Sequence, residues 1–395
     1  NMSRLTKIYC DNALVDKAMA DKFMSSNPNV LVIYETLALE AWWNELPSFW
    51  KDLLITQAMT SKRPTKEELH SIINIKNLKV GHFIQDAEPV SRLTNIEFLD
   101  LSDSKIDDLS PLYGLHNLKS LNVRNTEVSD LAPLSNLKNL KELNIENTNV
   151  KSLQALHELS NISKIYADGS KLTQDEVVAL KRKQRQLTVI YQTDDLRLWW
   201  GNLDMAWREI FNSHLTCNSN PTAEQLQSIV DLEEIVVDPN NVVYSLESLQ
   251  QMSFLRKLII NNNQIHDLTP LSDKDLLEVL SVSGNPVDDI TPLSNLLLLK
   301  NLNVENTQVS DLTPITNLKN IKVLNIGGTS VRNLKPLAGF EHLEDLSIVN
   351  TYVKSIVPLE NLPSLKHLKA YKTKIKNKNI ELLKFKKPDL NVIYY

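Results

Sequence analysis

The chain has 395 residues, of which 64 are leucine and 40 are asparagine, a bias too strong for an ordinary mixed enzyme domain. With 43 lysines and arginines against 48 aspartates and glutamates, the net charge of −5 gives no overall attraction to nucleic acid or anionic lipid. The 8 glycines are too few for a fold built on glycine-rich phosphate loops, and no apolar run reaches the roughly 18 residues of a membrane span. A composition of this kind points to internal repeats.

Residues 1–34 match the ends of the later repeat arrays rather than the start of one. Lys7-Ile8-Tyr9 and Val32-Ile33-Tyr34 recur at 164–166 and 189–191, and the second triplet returns at 392–394. The pattern predicts a strand–helix–strand closure in each place. Residues 1–34 are therefore interpreted as a partial C-terminal closure of a preceding module that is missing or vestigial.

A tryptophan-rich helical cap is predicted over 36–76 and again over 195–233. Each contains a double tryptophan, in WWNELPSFWKDLL from 42 onward and in WWGNLDMAWREIF from 199 onward. A shorter helix follows, opened by the capping boxes PT-x-x-E at 64–68 and PT-x-x-Q at 221–225. In the first cap, apolar residues three or four apart predict the stripe of a single helix: Trp43, Leu46, Trp50 and Leu53.

Between the caps and the closures the sequence repeats every 22 residues, over about 77–170 and about 234–373. The shared frame is L-x-x-L-x-L-x-x-[NTS]-x-[VIL]-x-x-[LI]-x-P-[LI]-x-x-[LF], a leucine-rich repeat whose L-x-L predicts a short strand with buried apolar residues. The Thr, Ser or Asn at the ninth place is expected to hydrogen-bond backbone that no sheet ladder reaches. The prolines of the frame are Pro89, Pro111 and Pro133, then Pro270, Pro292, Pro314, Pro336 and Pro358.

The chain is therefore predicted to contain two copies of one module after the leftover closure. The first module spans 35–194 and closes over 171–194; the second spans 195–395, closes over 374–395 and is longer by two repeats. A single repeat cannot close its own core, so neighbouring repeats stack into a solenoid. The predicted fold class is α/β: two tandem leucine-rich-repeat solenoids, each a right-handed arc with a helical, Trp-rich N-terminal cap.

The 22-residue length and the D-[LI]-x-P-L of the return path resemble the internalin-like class of short leucine-rich repeats, over about 93–170 and 255–373. A proline in that place suits a short 3₁₀ turn better than a full helix. The resemblance implies a bacterial protein with a helical N-terminal cap, although the double tryptophan departs from the family pattern. It favours export to the cell surface or medium over the cytoplasm. Met2, read as a genuine start, would instead indicate a cytosolic protein.

No motif of catalytic, metal-binding or cofactor chemistry occurs, so the chain is predicted not to be an enzyme and to need no cofactor. SDSKIDD at 102–108 lacks the glycine and distal glutamate of a calcium loop, and the repeat frame places it in an ordinary turn. Cys10 and Cys217 indicate no redox role. The basic run at 181–185 and the lysines of 366–387 are interpreted as solvated helix faces rather than a nucleic-acid site.

Partner binding is expected on the concave sheet face, because residues between and beside the two leucines of each L-x-L point outward. Exposed aromatic residues would be its anchors. The alternative that these side chains have no binding role and only make the sheet face soluble stays open. The candidates are Phe98, Asp100, Asn122, Arg124, Asn144, Glu146, Tyr166 and Asp168 in the first module, and Asn301, Asn303, Glu305, Asn325, Val349, His367 and Tyr371 in the second.

The expected function is a non-catalytic protein–protein interaction scaffold whose partner the sequence does not identify. One alternative is binding of a glycan or cell-wall polymer along the short asparagine rows of the concave face. Another is an architectural role as spacer modules in a longer surface protein, which the leftover closure at 1–34 supports.

Overall fold

The computed structural model describes residues 5–11, 13–81, 84–215 and 220–394. The chain divides into two compact units, Asn1–Gln192 and Thr193–Tyr395, which are described separately below. The predicted division into a leftover closure and two modules stays a prediction. Cys217 lies outside the described residues.

The first unit carries a two-stranded and a six-stranded sheet, both parallel. In the small sheet, β1 (Lys7–Tyr9) and β2 (Leu31–Ile33) are joined by α1 (Lys17–Ser26). Three helices then lead to the large sheet: α2 (Thr36–Glu45), α3 (Ser48–Ala58) and α4 (Lys66–Ile73). The large sheet consists of β3 (Asn77–Lys79), β4 (Phe98–Asp100), β5 (Ser120–Asn122), β6 (Glu142–Asn144), β7 (Lys164–Tyr166) and β8 (Thr188–Ile190), with α5 (Gln174–Lys183) before β8.

From its three leading helices onward, the second unit follows the same order of elements as the first, and it has one eight-stranded parallel sheet. Its helices are α6 (Thr193–Asn202), α7 (Met205–His214) and α8 (Ala223–Val230) at the start and α9 (Asn377–Lys386) before the last strand. Its strands are β9 (Glu234–Val236), β10 (Lys257–Ile259), β11 (Val279–Ser281), β12 (Asn301–Asn303), β13 (Val323–Asn325), β14 (Asp345–Ser347), β15 (His367–Lys369) and β16 (Asn391–Ile393).

Each repeat returns from one strand to the next through a 3₁₀ turn, as the prolines predict. Pro111 is the second residue of the turn Ser110–Leu112, where its missing N–H is not needed. Neighbouring strands place equivalent residues opposite each other, so that Leu121 pairs with Leu143 across the sheet. This register, with the L-x-L leucines buried, confirms the predicted α/β leucine-rich-repeat solenoid.

The prediction of one continuous tryptophan-rich helix from Trp42 was wrong, because α2 and α3 are separate helices. Pro47 lies between them, and it favours an extended backbone at Leu46, where ψ is 137°. The break changes the phase of the apolar stripe, so that Leu54 rather than Leu53 is buried beside the repeat core. The role of these helices as a cap stays a prediction.

Both predicted capping boxes are confirmed. The Thr65 hydroxyl accepts from the N–H of Glu68 at 3.3 Å, and the Glu68 carboxylate accepts from the N–H of Thr65 at 2.8 Å. Thr222 and Gln225 form the same reciprocal pair at the start of α8. Each box satisfies two backbone donors that the first turn of a helix leaves unpaired.

The ninth place of the repeat satisfies turning backbone in two ways, as expected. Thr126 donates its hydroxyl to the Val123 carbonyl of its own turn, at 2.6 Å. The longer Asn285 reaches the preceding repeat, where its Oδ1 accepts from the Ile265 N–H at 3.0 Å and its Nδ2 donates to the Ile260 carbonyl at 2.7 Å. An asparagine at this place therefore joins two repeats, whereas a threonine closes only one.

A buried lysine interrupts the apolar core of the second unit. Leucines spaced L-x-x-L-x-x-L fill the space behind each sheet, and Lys274 takes the middle place between the buried Leu271 and Leu277. The side chain of Lys274 is 1% exposed, yet its Nζ donates to the Gln250 carbonyl at 3.1 Å and pairs with Asp273 at 3.0 Å. The aliphatic stem thus fills a leucine place while the ammonium reaches polar partners.

The turns that follow β4 to β7 and β10 to β15 each contain a residue in the left-handed backbone conformation. Asp103, Asn125 and Asn147 have φ of 58°, 54° and 53°, and Asn147 donates from Nδ2 to the Asn125 Oδ1 at 2.7 Å. In other repeats a glycine takes this place, as Gly328 does with φ of 66°. A Cβ on Gly328 would lie 2.1 Å from the Oδ1 of Asn306 in the preceding repeat.

We expect Gly328→Ala to lower the free energy of unfolding of the second unit by about 1–2 kcal/mol, because alanine must adopt the left-handed conformation and displace Asn306. Urea unfolding followed by circular dichroism measures the change. Gly114→Ala is the matched control, since its Cβ would meet no atom within 4 Å. Equal midpoints for the two variants would contradict the strain assigned to this turn.

An aspartate two residues before the first residue of the turn caps many of the 3₁₀ turns. The Asp267 carboxylate accepts from the N–H of Thr269, and the Asp289 carboxylate accepts from the N–H of Thr291, both at 2.8 Å. Hydrogen bonds from the side chain and then the backbone of the following Ser or Thr lower the pKa of these carboxyls below the ordinary value. The same holds at Asp108, Asp267, Asp289 and Asp311.

We expect both units to lose stability in acid. Because the folded-state pKa of these carboxyls is lowered, their contribution is present above the ordinary aspartate pKa of 3.8 and is lost as pH falls through the folded value. Thermal unfolding midpoints measured from neutral pH to below 3.8 test this. Asp289→Asn keeps an acceptor for Thr291 but does not titrate, so its midpoint should fall less steeply. A midpoint independent of pH would contradict the assignment.

Candidate concave-face binding surfaces

The parallel register arranges the outward residues of each sheet in columns. In the first unit, Phe98, Ser120, Glu142 and Lys164 are opposite one another in successive strands. A second column consists of the third residue of each strand, Asp100 among them. A third column lies two residues further along the chain in each repeat. Every candidate predicted from sequence lies in one of these columns and is at least partly exposed.

The concave face of the first unit contains a groove of about 430 Å³. Phe98 is 49% exposed in it, because its neighbours across the sheet, Asn77 and Ser120, have short side chains that leave the ring uncovered. The structure brings four of the predicted residues together as lining of this groove: Phe98, Asp100, Asn122 and Asn144. An exposed aromatic ring thus stands among polar groups.

The remaining candidates of the first unit lie in the neighbouring repeats, outside the groove lining. Arg124 and Glu146 form an ion pair at 3.6 Å. Tyr166 is half-buried, opposite Ile190 of the last strand, with the Lys164 ammonium 5.5 Å from the centre of its ring. Asp168 follows in the next turn and is also half-buried.

Charge on this face is balanced locally. Burial alone would raise the pKa of Asp100, but hydrogen bonds from Ser102 and Lys79 outweigh it and leave that pKa below its ordinary value. Lys79 approaches the Asp100 carboxylate to 3.2 Å. The carboxylate is therefore ionised at neutral pH and already paired, which makes it a weak attractor for a cationic ligand.

The concave face of the second unit contains a groove of about 370 Å³. Of the predicted residues, it brings together Glu305, Asn325, Val349, His367 and Tyr371, while Asn301 and Asn303 lie on β12 outside the lining. Besides the buried strand residues Leu324 and Leu346, sequence reasoning missed four outward lining residues: Val323, Asp345, Ser347 and Lys369. The same outward strand positions on β13, β14 and β15 would have identified them.

The asparagine rows are largely occupied by the protein's own backbone. Asn122, Asn144, Asn303 and Asn325 each accept, through Oδ1, the N–H of the residue two places later, at 2.9–3.1 Å. Three of their amide groups also donate to neighbouring side chains, Asn325 for example to Glu305 at 3.0 Å. These amides close the end of each strand, which the sequence alone does not reveal.

A larger cavity of about 790 Å³ in the first unit shares no lining residue with the concave-face groove and lies between α2, α3 and the first 3₁₀ turn. Trp42 lines it, and its Nε1 has no hydrogen-bond partner among the described residues. The Trp199 Nε1 in the second unit donates instead to the Ser248 carbonyl at 3.1 Å. Residues 82 and 83 precede the cavity wall and lie outside the described residues, so no site is assigned there.

Within the described ranges, His, Cys, Asp and Glu side chains form no group of three or more that could hold a metal ion. In the same part of the chain, each helix is too short or too polar to cross a membrane.

A family model described as Leucine Rich repeats (2 copies) matches residues 116–170 and 253–295. The chain therefore has a leucine-rich-repeat fold, and the match covers one segment of each unit. The 22-residue length and the 3₁₀ return turns of this leucine-rich-repeat protein agree with the predicted internalin-like repeat class. No curated protein sequence matches the chain significantly.

Solved structures similar to this leucine-rich-repeat protein include an internalin of Listeria monocytogenes, which is 22% identical with a TM-score of 0.40 over 87% of each chain. A Leptospira interrogans leucine-rich-repeat protein is 17% identical, with a TM-score of 0.38 over 82% of this chain and 86% of that one. A plant peptide hormone receptor, RGFR1 in complex with RGF2, is 14% identical, with a TM-score of 0.34 over 78% of this chain and 57% of that one. Similarities this low carry no argument about partners.

Proposed function

We propose that this leucine-rich-repeat protein is a non-catalytic scaffold that binds a protein partner on its concave sheet faces. The observation that carries the proposal is the half-exposed ring of Phe98 in the groove of the first unit. Aromatic side chains in a pocket are the residues that dominate protein–protein binding energy. The surrounding strands are held by backbone pairing on both sides, so the surface is preformed and little entropy is lost on binding.

The second concave face supports the same proposal with a different composition. Val323, Val349 and Tyr371 line its groove together with the charged residues Asp345 and Lys369. Apolar and aromatic side chains mixed with charged ones are usual in a protein interface. The chemistry of the two faces differs, so each is proposed to contact its own part of the partner.

The alternative function, binding of a glycan along the asparagine rows, has less support. A polymer of sugars would need free hydrogen-bonding groups along the asparagine rows, but the carbonyl oxygens of those amides accept from the chain's own backbone. Among the four asparagines of these two rows, only Asn122 has an Nδ2 group that donates no hydrogen bond within the described residues. The rows therefore supply few unsatisfied groups to a ligand.

Site-specific photocrosslinking tests the proposal. A photoreactive residue at Ser120, beside Phe98 on the concave face, is compared with one at Ala132, exposed in the 3₁₀ turn of the same array. Incubated with an extract of the source organism, the Ser120 probe should give a discrete adduct that a protease degrades, and the Ala132 probe should not. Phe98→Ser should reduce that adduct at least about tenfold, since buried aromatic anchors contribute ≥ ~2 kcal/mol.

Three outcomes would contradict the proposal: equal adducts from the two probes, an adduct that Phe98→Ser leaves unchanged, and an adduct that resists protease but is degraded by glycosidases. The last would establish the glycan alternative. Circular dichroism of Phe98→Ser, whose ring is half-exposed, checks that the fold is retained.

A further inference from the structure

The three strand–helix–strand segments of the chain can be compared position by position. Their helices are α1, α5 and α9, each ten residues long and each followed by a short strand. The buried side of the helix is alike in all three, because Ala20, Val177 and Ile380 occupy the same place and are all buried. Differences on the outer side of the helix are therefore free of the demands of the core.

The outer side of α9 is apolar where the other two helices are polar or small. Its sixth residue is Leu382, 48% exposed, where α1 has lysine and α5 has alanine. Its ninth residue is Phe385, 86% exposed, where α1 has Ser25 and α5 has Arg182. Leu382 and Phe385 are neighbours on one face of the helix, so they form a small exposed apolar patch rather than a single exposed residue, and such a patch points to a contact outside the fold.

Lysines flank these two apolar residues on the same helix face. Lys378, Leu382, Phe385 and Lys386 are spaced i, i+4, i+7 and i+8, which places them on one side of the helix. Lys386 pairs with Glu360, while Lys378 is exposed and has no acidic partner among the described residues. We call these four residues the α9 face.

The charge of the surrounding segment is opposite to that of the rest of the chain. Residues 366–394 contain nine lysines and two acidic residues, a net charge of +7. Because the whole chain carries −5, all other residues together carry −12. The overall negative charge therefore conceals a basic segment. A locally basic segment is attracted to an anionic surface even when the net charge of the chain is negative.

We propose that the α9 face docks on the surface of an anionic lipid bilayer. Lysines alone would suit any polyanion, but an exposed leucine and phenylalanine between lysines match the interface of a bilayer, where apolar side chains enter the acyl boundary and ammonium groups meet anionic head groups. The helix lies on the membrane and does not span it. The proposal is independent of the concave-face function, because none of these residues lies on a concave face.

Vesicle flotation with the full chain tests the proposal. The probes are vesicles of phosphatidylcholine mixed with phosphatidylglycerol, and vesicles of phosphatidylcholine alone, at low and at high salt. We expect flotation with the anionic vesicles at low salt, weaker flotation at high salt, and none with the neutral vesicles. Phe385→Ser combined with Leu382→Ala, which installs residues found in the other two helices, should lower the partition coefficient by about tenfold.

Two matched controls keep the result specific. Leu37→Ser removes an apolar residue that is exposed on α2, and Lys62→Glu reverses a charge on an exposed lysine of the first unit; neither should change flotation. Lys378→Glu should weaken it as the double substitution does. Because every substituted side chain is exposed, circular dichroism should show an unchanged fold.

The proposal would be overturned by a wild-type chain that floats with neither vesicle, or by a double variant that floats as well as wild type. A loss with Lys378→Glu but not with the double variant would identify a polyanion as the partner instead. Light scattering that shows a dimer, lost in the double variant, would assign the α9 face to a second copy of the chain.

Discussion

Trp207→Ala should lower the free energy of unfolding of the second unit by about 3–5 kcal/mol, the range for removing a large aromatic side chain from a core. The Trp207 side chain is fully buried, and its ring stacks on Phe211 with centroids 5.4 Å apart. Its Nε1 donates to the Ser245 carbonyl at 2.9 Å, which ties α7 to the first repeat. The substitution therefore leaves a cavity and an unpaired carbonyl at the start of a stacked array.

The loss should spread beyond the site, because each repeat is stabilised mainly by its neighbours. Urea unfolding measured by circular dichroism, with limited proteolysis to locate the cleaved repeats, tests this. Met205→Ala is the matched control, since that side chain is exposed on the same helix, and it should shift the free energy by less than about 0.5 kcal/mol. A Trp207→Ala chain as stable as this control would contradict the packing described.

Lys274→Leu should stabilise the second unit, by about 1–4 kcal/mol, which is the gain seen when buried charged groups are replaced by apolar residues of similar volume. The position belongs to the L-x-x-L-x-x-L core spacing, and the lysine stem already lies where the leucines of other repeats do. Replacing it removes the cost of dehydrating an ammonium group. The Gln250 carbonyl loses one donor in exchange, which limits the gain.

Thermal unfolding of Lys274→Leu measures the effect, with Asp273→Asn as the complementary variant. Asp273→Asn leaves the buried ammonium without its carboxylate at 3.0 Å, so it should lower the midpoint while Lys274→Leu raises it. General surface effects do not readily shift the unfolding midpoint in opposite directions for substitutions at two adjacent residues. A lower midpoint for Lys274→Leu would mean that the ammonium contacts stabilise the unit more than they cost.

The repeat frame was predictable from sequence because its signals are periodic. Prolines at 22-residue steps define the return turn, and a leucine followed two residues later by another apolar residue, mostly valine or isoleucine, defines the buried side of each strand, so parallel register follows without further information. The break between α2 and α3 was missed because the apolar spacing continues across Pro47, although the proline itself was a visible warning. Local chemistry there outweighed periodicity.

From the sequence, the candidate surfaces could be predicted only as columns of outward-facing strand residues. Strand alternation identifies outward residues such as Phe98 and His367, but which of them share a groove depends on the size of neighbouring side chains. The asparagine rows show the same limit: the sequence reveals an exposed amide, whereas its engagement by the backbone two residues later is a matter of turn geometry. Exposure of Phe385 likewise depends on what packs beside α9.

The register of the sheets bears on how such a chain can change over generations. Asn301 lies opposite Val323, and Val323 opposite Asp345, so recombination that removes or adds one 22-residue unit would restore the same pairing at the new junction. Each such event would shorten or lengthen a concave face by one strand spacing, about 4.8 Å, and would leave its ends unchanged. The surface presented to a partner is therefore adjustable in whole units, while the amino acids at each outward position vary separately.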